Sequence, residues 1–352
     1  MPINRNNITT GLSSSLSPEP QRPQMSNKAT MRLRNPFFVA LGGTTTANAA
    51  LHPRQLNTTA SPGSSINTTA PVPLSQSTLS RNAAPPEEDT DQYYLGYRDA
   101  DFARPFAKYW NPNVAAISDE VQKGVSESPK ARPLAFPAQQ AGNYMMRAGY
   151  LQMENGWSVG ADGGVMIAVR TDIPAITGDM YDWWFGWHLV DSARYKLWNP
   201  VAHQYAWRWP DAVDWADKTL PQRYVGAFSQ IDEYVGNEHN RLTIAFVEPG
   251  VLGFGERGAW AQEGVEAVVV ARIMIGHATT LDGPEQYLVH QVRRKEDGTR
   301  ELRSRFWLRV FTPQIAHDLL VHCNIEMTRE FACFLTNIDE ALELTVAGIE
   351  QI

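Results

Sequence analysis

The chain has 352 residues, 43% of them hydrophobic, and a formal net charge of −7. That length carries two domains or one large domain with extensions, and the apolar share is enough for a buried core. The acidic balance shows no basic stripe and argues against a nucleic-acid partner; no run of about 18 apolar residues is present to span a membrane.

Residues 1–92 are dominated by Ser, Thr, Asn, Pro, Gln, Ala and Gly. They hold too few large apolar side chains to offset the entropy of ordering, so a disordered tail is expected. Within it, Met31–Ala50 ("MRLRNPFFVALGGTTTANAA") has a basic start, a short apolar run and a small-residue end, in the manner of a targeting signal. A cytoplasmic location is the expectation, with secretion or an organelle as the alternative that this segment raises. The Asn-x-Thr sequons at Asn7, Asn57 and Asn67 all fall in the tail.

Residues 93–142 are Pro-rich and predicted to be mostly helical. A hairpin is expected next, with Asn155-Gly156 as its turn between "NYMMRAGYLQME" and "WSVGADGGVMIAVRTDIP". Thr177 precedes a short aromatic helix, "ITGDMYDWWFGWHLV". Four runs rich in Val, Ile and aromatics follow: "RLTIAFVEP", "VEAVVVARIMI", "EQYLVHQVRR" and "LRSRFWLRVF". With Asp282-Gly283 and Asp297-Gly298 as turn signals, they read as an antiparallel meander.

The last segment reads as a long helix. Thr312 suits its N-cap and Pro313 its first position. Ile315, Leu319, Cys323, Met327, Phe331, Phe334 and Ile338 recur at helical spacing. The fold class expected is α+β: a curved antiparallel sheet around a long C-terminal helix, a helix-grip domain over 143–352. The two cysteines, Cys323 and Cys333, would stand about 15 Å apart along that helix. A disulfide needs Cα atoms within about 7 Å, so both read as free thiols, which suits a reducing compartment.

The same helix carries the sequence's main chemical signal. With Leu319 at zero, the apolar arc runs from Ile315 at about −40° to Phe331 at about 120°. Glu326 falls inside it at about −20° and His322 at its edge at about −60°. Glu330 also falls within the arc, so angle alone does not single out one carboxylate. A buried carboxylate is costly unless paired or metal-bound, and side chains at i and i+4 can grip one ion. The structural alternative is a His–Glu hydrogen bond at a cavity rim. Further histidines are His188, His203, His239, His277, His290 and His317. Asp179–Trp209 sets two of them among six tryptophans, like the wall of an aromatic pocket, and "SQIDEYVGNEH" adds Glu233 in an apolar setting.

"DMYDWWFGWH", "SARYKLWNPVAH", "QIDEYVG", "RSRFW" and "IAHDLLVHCNIEMTR" occur in that order between Tyr144 and Leu342. Together they resemble the zinc-dependent phloretin hydrolase and 2,4-diacetylphloroglucinol hydrolase family. The resemblance implies a helix-grip (Bet v 1-like) domain that binds Zn2+ through two histidines and two glutamates. Carried over, these are His203, Glu233, His322 and Glu326. It also implies a catalytic Tyr-Lys pair, Tyr195 and Lys196, and a further essential histidine at a spacing that His277 fits best, with His290 as the rival. Glu233 would double as a base, and a homodimer is the family's habit. The reaction implied is hydrolysis of the carbon–carbon bond between an acyl group and a polyhydroxylated ring, giving a phloroglucinol and a carboxylic acid. A related hydrolase of another acylphenol or polyketide β-diketone, and a non-catalytic ligand carrier, are the other readings. An asparagine tied to substrate contact in the diacetylphloroglucinol enzymes has no counterpart; Ala206 stands about there.

Overall fold

A computed structural model describes residues 95–328 apart from Asp214. The expected tail, its signal-like segment and the continuation of the C-terminal helix beyond 328 lie outside the described residues.

The strands are β1 (Gly156–Val159), β2 (Val165–Asp172), β3 (His203–Arg208), β4 (Phe228–Val235), β5 (Glu238–Val247), β6 (Val265–Ile275), β7 (Tyr287–Arg294) and β8 (Arg300–Leu308). They form one eight-stranded antiparallel sheet in the order β1-β2-β8-β7-β6-β5-β4-β3. The helices are α1 (Asp119–Ser126), α2 (Ala141–Met145), α3 (Gly178–Trp187), α4 (Ser192–Trp198), α5 (Arg257–Trp260) and α6 (Pro313–Thr328), with short 3-10 turns between them. Side-chain caps mark several starts. Thr177 Oγ1 accepts from Met180 N at 3.3 Å, Asp191 Oδ1 from Arg194 N at 3.1 Å, and Thr312 Oγ1 from Ile315 N at 3.1 Å. Each supplies an acceptor to an amide that the first turn leaves unbonded.

Both faces of the sheet are covered. On one, Ile167, Phe246, Val269 and Phe306 pack with Trp184 of α3 and Leu320 of α6. On the other, Met166, Val268, Val289 and Trp307 pack with Met145 of α2 and Phe254. This corrects the helix-grip expectation. α6 spans 16 residues, about 24 Å, and shares its side of the sheet with α3 and α4; a long helix gripped by the sheet is not present among the described residues. The physical reason was visible in β6, "VEAVVVARIMI". A strand with one wet face alternates apolar and polar residues, whereas this one is apolar almost throughout, as two covered faces require. α3, with Trp183, Trp184 and Trp187 all buried, takes the space assigned to a longer helix.

The first hairpin also differs from expectation. Its turn is Gly160–Gly164, closed by Gly160 N donating to Gly164 O at 2.7 Å, with Gly163 at φ +81°. Asn155 instead turns its side chain to accept from Arg170 N at 2.9 Å. An Asn-Gly pair that spends its amide oxygen on a neighbouring strand is no longer a free turn.

α6 approaches the sheet edge at the β4–β5 turn. Gly236 has φ +62°, and a Cβ there would lie 2.1 Å from Asp318 Oδ2 and 3.1 Å from Asp318 Cβ. Only glycine lets the helix come this close. Gly236→Ala should cost about 1–2 kcal/mol from the left-handed backbone alone, and more from the clash. The expected outcome is a lowered midpoint in thermal denaturation; an unchanged midpoint would show that α6 docks without this contact.

Candidate metal centre

Three elements bring four ligand-type side chains to one point. His203 opens β3 and stands directly opposite Glu233 of β4 in the strand register, so both side chains leave the same face. α6 brings His322 and Glu326, one turn apart. One ligand atom from each of the four lies within 4.8 Å of all the others, and all four residues are buried.

Glu326 Oε1 is 2.6 Å from His203 Nε2 and 2.8 Å from His322 Nε2. Glu233 Oε2 is 3.6 Å and 3.8 Å from the same two nitrogens. Four donors around a tetrahedral ion at bonds of about 2.0–2.1 Å would stand about 3.4 Å apart. The Glu233 separations are close to that, whereas Glu326 is drawn inward by hydrogen bonds. His203 Nδ1 donates to the Tyr195 carbonyl at 3.0 Å, which leaves Nε2 as the nitrogen facing the cluster. Such a bond to the far nitrogen is the usual support of a metal-binding imidazole. Tyr195 also stacks flat on His203, with ring centroids 3.7 Å apart at 7°, and its hydroxyl donates to Glu233 Oε2. Two nitrogens and two carboxylates, buried and converging, fit a divalent ion; the cluster could hold one.

The charges fit a site built for a cation. Burial alone would push the His322 pKa down, but the charge and hydrogen bond of Glu326, with Glu233 and the Tyr234 backbone adding to them, raise it to about 9. Burial pushes the Glu326 carboxyl up; His322 and the bond from His203 outweigh it and hold the group far below the usual carboxylate range. Burial and the Glu233 and Glu326 charges push the Tyr195 hydroxyl well above its ordinary value, so it remains a donor.

Three of the four, Glu233, His322 and Glu326, line a small cavity of about 60 Å³. Tyr195, Glu233, His322, Cys323, Glu326 and His290 are its polar lining among the described residues; the rest is apolar, including Phe185, Leu189, Ile244, Leu288 and Phe306. The free thiol of Cys323 is pushed well up by burial and the two glutamates.

Not every residue singled out from the sequence lines this cavity. Lys196 is buried and pairs with Asp101 Oδ2 at 3.4 Å. His277 Nε2 lies 2.8 Å from Asp232 Oδ1. Asp232 precedes Glu233 on β4, so its side chain leaves the opposite face. His290 does line the cavity, its Nδ1 2.7 Å from Ser304 Oγ. His188 is buried against Trp184 and Trp198, with Nδ1 donating to the Trp184 carbonyl at 2.6 Å. Of the tryptophan-rich stretch, Trp198 reaches the cavity, while Trp183, Trp184 and Trp187 are core. Sequence reasoning missed Cys323 as cavity wall and Ser304 as the partner of His290. Helical spacing next to His322 could have flagged the first; the second depends on cross-strand register.

Two imidazoles and two carboxylates meeting beside an apolar cavity define a site that could hold a metal ion. The chain belongs to the DAPG hydrolase PhiG domain family, whose profile matches residues 136–338. It is 28% identical over 217 residues to phloretin hydrolase of Eubacterium ramulus, covering 61% of this chain and 76% of that protein. It is 26% identical over 211 residues to 2,4-diacetylphloroglucinol hydrolase of Pseudomonas protegens, covering 58% of this chain and 66% of that protein. A 2,4-diacetylphloroglucinol hydrolase from another Pseudomonas is also 26% identical over 211 residues, 69% of its length.

Glu326→Gln should empty the cluster of metal, as elemental analysis of the purified protein would show; full metal content would remove Glu326 from the ligand set. His322 is protonated below about 9 in the metal-free protein, and a metal must displace that proton. Affinity is therefore expected to rise as pH increases from 7 towards 9, with proton release on binding; calorimetry in buffers of different ionisation enthalpy measures it, and a flat profile would contradict the assigned charge state.

Proposed function

We propose that the protein hydrolyses the carbon–carbon bond between an acyl group and a polyhydroxylated aromatic ring, with acylphloroglucinols of the phloretin type as substrates. The single observation that carries this is the convergence of His203, Glu233, His322 and Glu326, the last three of them lining a mostly apolar cavity. As a member of a family named for its hydrolase, with hydrolases of this kind as relatives, the chain is an enzyme that hydrolyses carbon–carbon bonds. Among the described residues, no helix is long and apolar enough to cross a membrane.

The reaction adds water across the bond. The aryl–acyl bond breaks, the ring carbon gains a proton, and the acyl carbon gains hydroxyl to become a carboxylic acid. An aryl carbanion is a poor leaving group, so the ring carbon must be protonated before or during cleavage. Hydroxyls ortho and para to the acyl group make that accessible, because the protonated ring is a β-diketone tautomer.

The donor set of two imidazoles and two carboxylates suits zinc. Zinc held there would supply Lewis acidity, making a water more acidic and polarising an acyl oxygen. We assign Glu233 the role of proton acceptor from the attacking water. It lies furthest from the His322–Glu326 pair and is held in place by the Tyr195 hydroxyl. When Glu233 takes up the water proton it no longer needs the Tyr195 hydroxyl, which is kept protonated by burial and turns to donate to the oxygen on which charge builds. His290 faces the substrate from across the cavity. Lys196 and His277 act by support rather than contact: Lys196 ties α4 to Asp101, and His277 ties the end of β6 to β4 through Asp232. The span from 143 onward is the catalytic region in this reading, with the described residues 95–142 packed on it.

Incubation with phloretin and with mono- and diacetylphloroglucinol, with and without chelator, tests the reading. Release of phloroglucinol or its monoacetyl derivative that stops with chelator and returns with zinc is expected; no turnover of any of the three by zinc-loaded protein would overturn it. Tyr195→Phe should lower kcat by about 10²-fold, as loss of one donor to a developing oxyanion does, while metal content is retained. Unchanged kinetics would take Tyr195 out of the chemistry.

A further inference from the structure

His290 is the polar group of the cavity that stands apart from the metal cluster. It lies on β7, three strands from Glu233 on β4, about 14 Å along the sheet. Phe185 and Phe306 flank its ring, each with centroids 5.8 Å away. Ser304 on β8 is its direct cross-strand partner, and Ser304 Oγ is 2.7 Å from Nδ1. Both residues are buried.

The direction of that hydrogen bond decides what the ring offers a ligand. A serine hydroxyl has one proton to place, and a neutral imidazole has one donor and one acceptor nitrogen. Among the described residues, the side-chain partner of Ser304 Oγ is His290 Nδ1. If Nδ1–H were the donor, the buried serine proton would have no acceptor, which is the costly arrangement. If the serine donates to Nδ1, its proton is paired and the imidazole proton resides on Nε2, on a ring that lines the cavity, where a ligand can accept it. Burial lowers the His290 pKa to about 4, so the ring is neutral at physiological pH and has a single proton to assign. Nε2 meets no protein partner among the described residues, and His290 lines the cavity.

We propose that Ser304 is a positioning residue that fixes His290 in the Nε2–H tautomer, so that the cavity presents a neutral hydrogen-bond donor to an aromatic-ring or carbonyl oxygen remote from the metal cluster. The proposal deepens the reading of the cavity as an acylphenol site and rests on it for the identity of the ligand. It adds a requirement on the substrate class: an oxygen acceptor at the end away from the cluster, within reach of His290 Nε2. An acylphenol with a single oxygen-bearing end would leave the His290 donor unpaired.

The test is nitrogen NMR of protein labelled with 15N-histidine, with the His290 signals assigned by their loss in His290→Gln. Native protein is expected to show His290 protonated on Nε2, and Ser304→Ala to show a mixture of tautomers. Saturating phloretin should shift the native Nε2 signal. An Nδ1–H ring in the native protein, or the same single tautomer in Ser304→Ala, would overturn the proposal. In kinetics, Ser304→Ala is expected to lower kcat/KM for phloretin about tenfold, as loss of one hydrogen bond does, through KM and with metal content unchanged. Ser304→Thr, which keeps the hydroxyl, should recover most of that loss; no recovery with the tautomer restored would overturn the link to binding. The tautomer measurement needs no turnover, so failure of every substrate would sink the proposed reaction while Ser304 is still judged by the spectrum.

Discussion

The structure depends on one electrostatic constraint: Glu326 is a carboxylate buried on the sheet-facing side of α6. Such a charge is costly in a core unless it is paired. Here two imidazoles approach the same oxygen, one from the same helix and one from β3. Much of the surrounding architecture serves that meeting. Gly236 lets α6 come close to the β4–β5 turn. The register of β3 on β4 sets His203 opposite Glu233. Tyr195 serves both partners, through its carbonyl to His203 and its hydroxyl to Glu233.

The second organising feature is a sheet covered on both faces. The outer layer of α2, α5 and the segments around them removes the polar face that an open sheet would show. The inner layer of α3, α4 and α6 leaves a cavity rather than a solid core: Trp183, Trp184 and Trp187 fill one part, and Phe185, Phe306 and branched side chains such as Ile244 and Leu288 line the rest. Polar groups enter that cavity at two places, the cluster and His290, and the walls between are apolar. In such a space each hydrogen bond has fixed partners and little water to compete for them. This is why the direction of the Ser304–His290 bond has consequences for a ligand.

Local signals were the ones legible in the chain. The one-turn spacing of His322 and Glu326, the caps at Thr177 and Thr312, and the strand character of β5 to β8 each depend on residues a few positions apart. The Asn155-Gly156 turn was misread although it is a strong local signal, because Asn155 spends its side chain on Arg170 in a neighbouring strand. The helix-grip expectation failed for a related reason. It gave the inner face to one helix, when the even apolar character of β6 and the tryptophans of α3 already implied more cover than one helix provides.

By itself, the sequence placed His322 and Glu326 one turn apart at an apolar arc, with Glu330 as a second carboxylate within it. It also determined that antiparallel strands precede that helix, and its motifs pointed to the hydrolase family. Only the tertiary structure decided which other side chains meet the pair and which face away. Lys196 follows Tyr195 directly, yet it turns to Asp101 while Tyr195 faces the cluster; His277 and His290 are thirteen positions apart and end on opposite faces of the sheet. A one-residue change of phase reverses the side of a strand on which a group emerges and turns a helix position by about 100°, and that phase is fixed by packing between distant segments.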